Sequence, residues 1–175
     1  MSDEPRRAMS DEPRRARQVS VIGSGGCGEE TEAWRLGEEV GRLLAEGGVT
    51  VVCGGGGGVM EAAARGAAGA GGSVIGVLPW VSTEDANPHC TQVVATGVGQ
   101  ARNLAVVASG EATIAISGEW GTLSEIAHAR NLGRPVVALR SWSVSGRDRM
   151  EGGPGIVAVE TPEQAVAAAL DAIGL

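Results

Sequence analysis

From Gln18 onward the chain alternates short apolar runs with stretches whose apolar residues recur at helical spacing. Residues 18–22 read as a strand followed by a glycine-rich loop. The segment 31–46 reads as a helix, with Leu36, Val40, Leu43 and Leu44 on one face. A second strand, 49–53, runs straight into Gly54-Gly55-Gly56-Gly57-Gly58, after which a helix over 59–70 and a strand over 73–78 are predicted. The loop 79–88 leads to an extended piece near 92–95, an apolar helix over 98–109 and a strand over 112–116. A further glycine-containing loop opens a helix over 122–132, then comes a strand over 135–139. A loop over 140–155 precedes a last short strand, 155–159. The closing helix opens at Thr161-Pro162-Glu163-Gln164, with Thr at the N-cap, Pro at the first helical position and Gln at the third.

Strands and helices in alternation, with near-continuously apolar strands, predict an α/β fold: a Rossmann-like, doubly wound parallel sheet in a single three-layer α/β/α domain. Right-handed crossovers bring every strand-to-helix loop to one edge, the carboxyl ends of the strands, where a ligand belongs.

Composition narrows the chemistry. The 175 residues include 29 Gly and four Trp but no Phe or Tyr, so the core is aliphatic and the glycines serve tight loops and close backbone packing. Residues 1–8, Met-Ser-Asp-Glu-Pro-Arg-Arg-Ala, recur letter for letter as 9–16. A polar, Pro-containing arm over 1–17 cannot bury apolar surface and is expected to be disordered, leaving 18–175 as the folded domain. The arm holds five Arg against four acids, so the body is more acidic than the whole chain's net −7. An acidic body speaks against a nucleic-acid partner, while a small anion needs only backbone N–H groups and an Arg. Cys27, Cys53 and Cys90 have neither disulfide-framework nor zinc spacing, and reduced thiols with no metal site are expected. No leader or membrane-spanning run is legible, which predicts a cytoplasmic protein without a membrane partner.

Three strand-to-helix loops carry candidate chemistry. Gly23-Ser24-Gly25-Gly26-Cys27-Gly28 fits the dinucleotide pattern, but no acid ends the second strand, and Glu29 and Glu30 would repel a pyrophosphate, so NAD is disfavoured. Ser24 and Gly25 remain candidate ligand contacts. Gly55, Gly56, Gly57 and Gly58, at a helix N-terminus, are candidates for cradling an anion, and the absence of a following Gly-Lys-Ser/Thr excludes a P-loop. In the third loop Gly118, Gly121 and Thr122 can face a phosphate and Glu125 can reach back toward it. Thr122-x-x-Glu125 is also a capping box, and by spacing alone capping is the stronger reading. Arg102, early in an apolar helix, suits bidentate phosphate contact, or else snorkels to solvent. Trp80 and Trp120 can stack on a base or pterin or plug the sheet end, with Trp120 the better candidate; His89 and His128 fit surface or supporting roles.

Four ordered motifs, Gly54-Gly-Gly-Gly-Gly-Val-Met-Glu-Ala, Gly72-Ser-Val-Ile-Gly-Val-Leu-Pro79, Gly99-Gln-Ala-Arg-Asn103 and Gly121-Thr-Leu-Ser-Glu125, resemble the LOG (LONELY GUY) superfamily, long mislabelled as lysine decarboxylases. The form of the last two resembles its molybdenum-cofactor carrier-like branch. The resemblance covers about residues 18–140. It implies a Rossmann-like homodimer and, for the LOG enzymes, cleavage of nucleoside 5′-monophosphates to base and ribose 5-phosphate by an Arg and a Glu that match Arg102 and Glu125. Ser117-Gly118-Glu119 stands where the enzymes carry Pro-Gly-Gly, Ser124 replaces the first acid of their Glu pair, and Asn103 replaces a Lys. Two readings follow: a nucleotide phosphoribohydrolase requiring no cofactor, or a non-enzymatic carrier with the molybdenum cofactor as its ligand. Both bind a nucleotide or another phosphorylated small molecule. Decarboxylation through a pyridoxal phosphate Schiff base is excluded, because the chain contains no lysine.

Overall fold

The computed structural model describes residues 15–144 and 155–175. The duplicated arm up to residue 14, and most of the loop expected over 140–155, lie outside the described residues. In chain order the elements are β1 (Gln18–Gly23), α1 (Glu32–Glu46), β2 (Thr50–Cys53), α2 (Val59–Gly69), β3 (Val74–Leu78), β4 (Gln92–Ala95), α3 (Arg102–Ser109), β5 (Ala112–Ile116), α4 (Trp120–Asn131), β6 (Val136–Leu139), β7 (Ile156–Val159) and α5 (Pro162–Ala172). The seven strands form one sheet in the order β4-β3-β2-β1-β5-β6-β7, and every pair is parallel. This is the expected Rossmann-like α/β fold. The strand order reverses direction at β1, so the crevice beyond the carboxyl ends of β1 and β5 is the switch point at which open α/β sheets bind ligands.

Two aliphatic clusters fill the layers. One face of the sheet packs Val19, Val21, Val51 and Ile114 against α1, α2 and α5; the other packs Ile22, Val52 and Ala115 against Val106, Val107 and Ile126 of α3 and α4. The buried stripe of α1 is Trp34, Gly37, Val40, Gly41 and Leu44, whereas Leu36 and Leu43 are only partly covered. The stripe departs from the expected Leu-rich face because glycines bring α2 in close. A Cβ at Gly41 would sit 2.0 Å from the Ala63 carbonyl oxygen, and one at Gly66 would sit 1.9 Å from that of Glu38. Backbone therefore touches backbone between these helices, which accounts for glycines that helix propensity alone would disfavour.

Local signals hold at the closing helix. The Thr161 hydroxyl accepts from the Gln164 N–H, and the Gln164 side chain accepts from the Thr161 N–H, a complete capping box with Pro162 behind it. They fail at two other helix starts. Gly99–Ala101 forms a single 3₁₀ turn, and α3 begins only at Arg102. Helix α4 begins at Trp120, two residues before the expected Thr122. Arg17, assigned to the arm by sequence, is tied to the body: its guanidinium pairs with Glu111 at 2.8 Å, and its carbonyl accepts from the Thr50 N–H. No helix among the described residues is long and apolar enough to cross a membrane.

Candidate functional site

A cavity of about 210 Å³ opens at the switch point, between the ends of β1 and β5 and the starts of α3 and α4. It is lined by the end of β1 and the loop after it, Val21 to Gly25, by Gly54 and Met60, and by Arg102, Asn103, Thr122 and Glu125. The topology thus brings together Ser24, Gly25, Arg102, Gly121, Thr122 and Glu125, all singled out from sequence, along one crevice.

Arg102 enters from the first turn of α3, with only 8% of its surface exposed. Its guanidinium lies over the end of β2, where only a glycine fits: a Cβ on Gly54 would come within 2.7 Å of Nη2. Nη1 donates to the side-chain oxygen of the adjoining, buried Asn103, which fixes the plane of the fork. Nε is buried and has no hydrogen-bond partner among the described residues. An unmet donor on a buried cation is costly.

Glu125 faces Arg102 from inside α4, with Oε1 3.8 Å from Nη1, beyond hydrogen-bonding distance. Burial pushes its carboxyl from an ordinary 4.5 up to about 7, and Arg102 only partly offsets the shift. Burial also draws the Arg102 guanidinium below the usual arginine range, opposed by Glu125, although an arginine retains its proton at any physiological pH. The site therefore holds a permanent cation beside a carboxyl that changes charge near neutrality.

The capping-box reading of Thr122 and Glu125 is overturned. The N-cap of α4 is Glu119, which makes no side-chain cap bond, and both Thr122 and Glu125 are buried within the helix. The earlier start follows from the strained turn before it. Ser117 has φ 51° and Gly118 φ 109°, and a Cβ on Gly118 would fall 2.5 Å from Thr122, so the chain turns sharply enough to begin the helix at Trp120. The snorkelling alternative for Arg102 is likewise excluded by its burial.

The five-glycine run divides in two. Gly54 lines the cavity, whereas Gly55, Gly56, Gly57 and Gly58 do not. Gly58 has φ +65°, its Cβ would stand 2.2 Å from the Ser24 carbonyl oxygen, and the adjoining Val59 N–H donates to that same oxygen at 2.9 Å. The α2 N-terminus is thus closed down onto the first loop. Gly55, at φ +72°, packs on Leu78, and its carbonyl accepts from the Asn87 N–H. Much of this run answers to packing and turn geometry.

At the mouth, the Ser24 hydroxyl reaches Glu119 Oε1 at 3.5 Å, bridging the first and third loops. Trp120 is 76% exposed and packs at a tilt on Trp142, ring centres 5.2 Å apart, and the Trp142 indole N–H donates to the Glu119 carbonyl. Neither Trp120 nor the half-exposed Trp80 plugs the sheet end. Gly118 lines a neighbouring hollow with Arg140 and Trp142. Glu29 pairs with Arg65 at 2.8 Å. Sequence reasoning placed Gly54 in the anion-binding run without singling it out, and it missed Met60, Asn103 as the partner of Arg102, and Trp142. The only legible signals were that Gly54 directly follows a strand and that Asn103 adjoins the candidate Arg. Among the described residues, no cluster of three His, Cys, Asp or Glu could hold a metal ion.

The model of the SLOG cluster4 family matches residues 16–166. A protein of Archaeoglobus fulgidus is 42% identical over 149 residues, covering 85% of this chain and 91% of that protein. Among solved structures, the chain is similar to the molybdenum cofactor binding protein of the phototrophic bacterium Rippkaea orientalis, with a TM-score of 0.79 and 30% identity over 92% of this chain and 99% of that one. It is also similar to the molybdenum cofactor carrier protein of Chlamydomonas reinhardtii, with a TM-score of 0.81 and 27% identity over 92% of this chain and 100% of that one.

Proposed function

The chain belongs to the SLOG cluster4 family, and from that premise we propose that it binds the molybdenum cofactor, a phosphorylated pterin, as cargo and carries it without turnover. The observation that carries this reading is the buried Arg102, held over Gly54 by Asn103 with its Nε unpartnered, in the crevice where such sheets take ligands. A phosphate oxygen accepts from the Arg102 guanidinium where it lines the cavity, and the first turn of α4, where Gly121 and Thr122 line the same cavity, adds N–H groups and the favourable end of the helix dipole. The fit is also one of size. A cavity of about 210 Å³ is smaller than the roughly 300–1,000 Å³ that encloses a drug-sized ligand. It takes the phosphorylated end and leaves the planar ring at the mouth, within reach of Trp120. The likeness to two proteins named for molybdenum cofactor binding and carriage supports the same cargo.

One observation favours a second reading. A buried carboxyl with its pKa at about 7 beside an arginine is suited to general acid–base work on a glycosidic bond, as in hydrolysis of a nucleoside 5′-monophosphate. Self-association as a homodimer and residence in the cytoplasm complete the proposal; the exposed Val94 on the edge strand β4, with Val81 and Val98 nearby in sequence, gives a second copy an apolar surface to cover.

The test is anaerobic calorimetry with molybdenum cofactor released from a molybdoenzyme, alongside incubation with AMP, GMP and CMP followed by chromatography of free base. Cofactor binding without base release is the expected result. Base release that disappears in Glu125→Gln would establish the hydrolase instead, and no binding of either ligand would sink both readings.

A further inference from the structure

Two thiols outside the cavity are brought together by the sheet. Cys53 ends β2, and its Cα partner in the neighbouring strand is Gly76 of β3. Paired residues of adjacent parallel strands point to the same face, about 4.8 Å apart. A Cβ on Gly76 would project beside the Cys53 side chain, and that position is taken instead by Cys90, whose Sγ would lie 2.6 Å from it. The missing side chain at Gly76 is what admits the Cys90 thiol to the space beside Cys53, and Cys90 packs against the buried cluster that contains Cys53. Cys53 is fully buried and Cys90 is partly exposed, so one member of the pair is open to a small reagent.

We propose that Cys53 and Cys90 are an oxidation site, at which a small peroxide converts the paired thiols to a reversible intramolecular disulfide. This goes beyond the cargo reading and stands independently of it. Exposure assigns the roles: Cys90 is the thiol a peroxide reaches, and Cys53 is the buried one that resolves. The neighbouring Cys90 thiol and burial push Cys53 above the ordinary thiol range, so it keeps its proton. The neighbouring Cys53 thiol, with the Asn87 side chain and against burial, draws Cys90 below that range and favours its thiolate. Cys90 thiolate attacks one peroxide oxygen, the O–O bond breaks, and hydroxide leaves to take up the proton that Cys90 released, forming water and a sulfenic acid. Cys53 sulfur then attacks the Cys90 sulfur, and the hydroxyl leaves with the Cys53 proton as a second water. Two thiols are oxidised by two electrons, and one peroxide is reduced to two waters.

The bond would join the end of β2 to the turn before β4. Asn87 in that turn donates from its backbone to the Gly55 carbonyl at 2.8 Å and from its side chain to the Gly56 carbonyl at 3.0 Å. Oxidation thus makes covalent a junction already held by hydrogen bonds, and it fastens the glycine run on which Arg102 rests.

The experiment treats the full reduced chain with hydrogen peroxide, then maps cross-linked peptides by mass spectrometry and measures the melting temperature before and after dithiothreitol. The expected result is a Cys53–Cys90 link, loss of two titratable thiols, and a dithiothreitol-reversible rise in melting temperature of roughly 5–10 °C. Cys27→Ser should retain all three effects, and Cys90→Ser and Cys90→Ala should lose them. A link through Cys27, over-oxidation of Cys90 without a link, or two thiols that stay free would overturn the proposal. Mapping the natural chain decides the matter even if a Cys90 variant fails to fold.

Discussion

Arg102 Nη1 and Glu125 Oε1 stand 3.8 Å apart across the switch-point crevice, each at least nine-tenths buried, and no hydrogen bond joins them. At that distance neither group's hydrogen-bonding capacity is spent on the other. The pair makes the site sensitive to pH.

Stability should follow the Glu125 proton. Its folded pKa, about 7, lies above the ordinary 4.5, so the folded state holds a proton that the unfolded chain loses first. The resulting stability is fully present below about pH 4.5 and is lost as pH rises to about 7. In Glu125→Gln this loss is absent. The melting temperature of the variant relative to the natural chain should therefore climb between pH 5 and 8, by an amount equivalent to at most about 3 kcal/mol. A constant difference across that range would mean that Glu125 is not held protonated.

Arg102→Met removes the cation while keeping a side chain of similar length. Loss of a charge-assisted contact worth about 1.5–3 kcal/mol should weaken binding of the phosphorylated ligand by about 10- to 100-fold. The Glu125 pKa should rise further in the variant, since the cation that lowers it is gone. Calorimetry reads the first effect and a carboxyl-selective NMR titration the second; unchanged affinity would remove Arg102 from the site.

The glycine run should respond position by position. Gly54→Ala puts a Cβ 2.7 Å from Arg102 Nη2 and 2.6 Å from Met60 Sδ, so it should displace the guanidinium and lower ligand affinity. Gly56→Ala meets only the flexible end of Met60, at 3.1 Å, and should bind normally. Gly58→Ala combines a φ of +65° with a contact 2.2 Å from the Ser24 carbonyl, and it should cost at least about 2 kcal/mol of stability. Thermal melts and phosphate titrations of the three variants separate these outcomes.

Thr161→Ala should cost about 1 kcal/mol by unpairing the capping box of α5, lowering the melting temperature by roughly 2–4 °C. Far from the crevice, it should leave ligand affinity unchanged, which a parallel titration checks.

The inner strands were legible because their apolar runs, such as Ala112–Ile116, are buried on both faces and need no partner to be recognised. Boundaries were less so. Thr161 and Thr122 carry the same kind of capping signature, yet only Thr161 caps a helix. A four-residue pattern does not register the left-handed turn at Ser117 and Gly118 that starts α4 early. Glycine was legible as a residue type and ambiguous in role: Gly54 faces the cavity, Gly58 the first loop, and Gly41 a neighbouring helix.

Taken alone, the sequence determined the alternation of strand and helix, the parallel sheet and the edge at which its loops gather, because periodicity and chain crossover act over short stretches of chain. It also carried Arg102 and Glu125 as candidates. Only the tertiary structure decided that the two face each other, that Asn103 orients the guanidinium over Gly54, and that Cys90 occupies the space left by Gly76 beside Cys53. Each of these depends on strand order and register between segments far apart in the chain, and a local pattern carries no record of either.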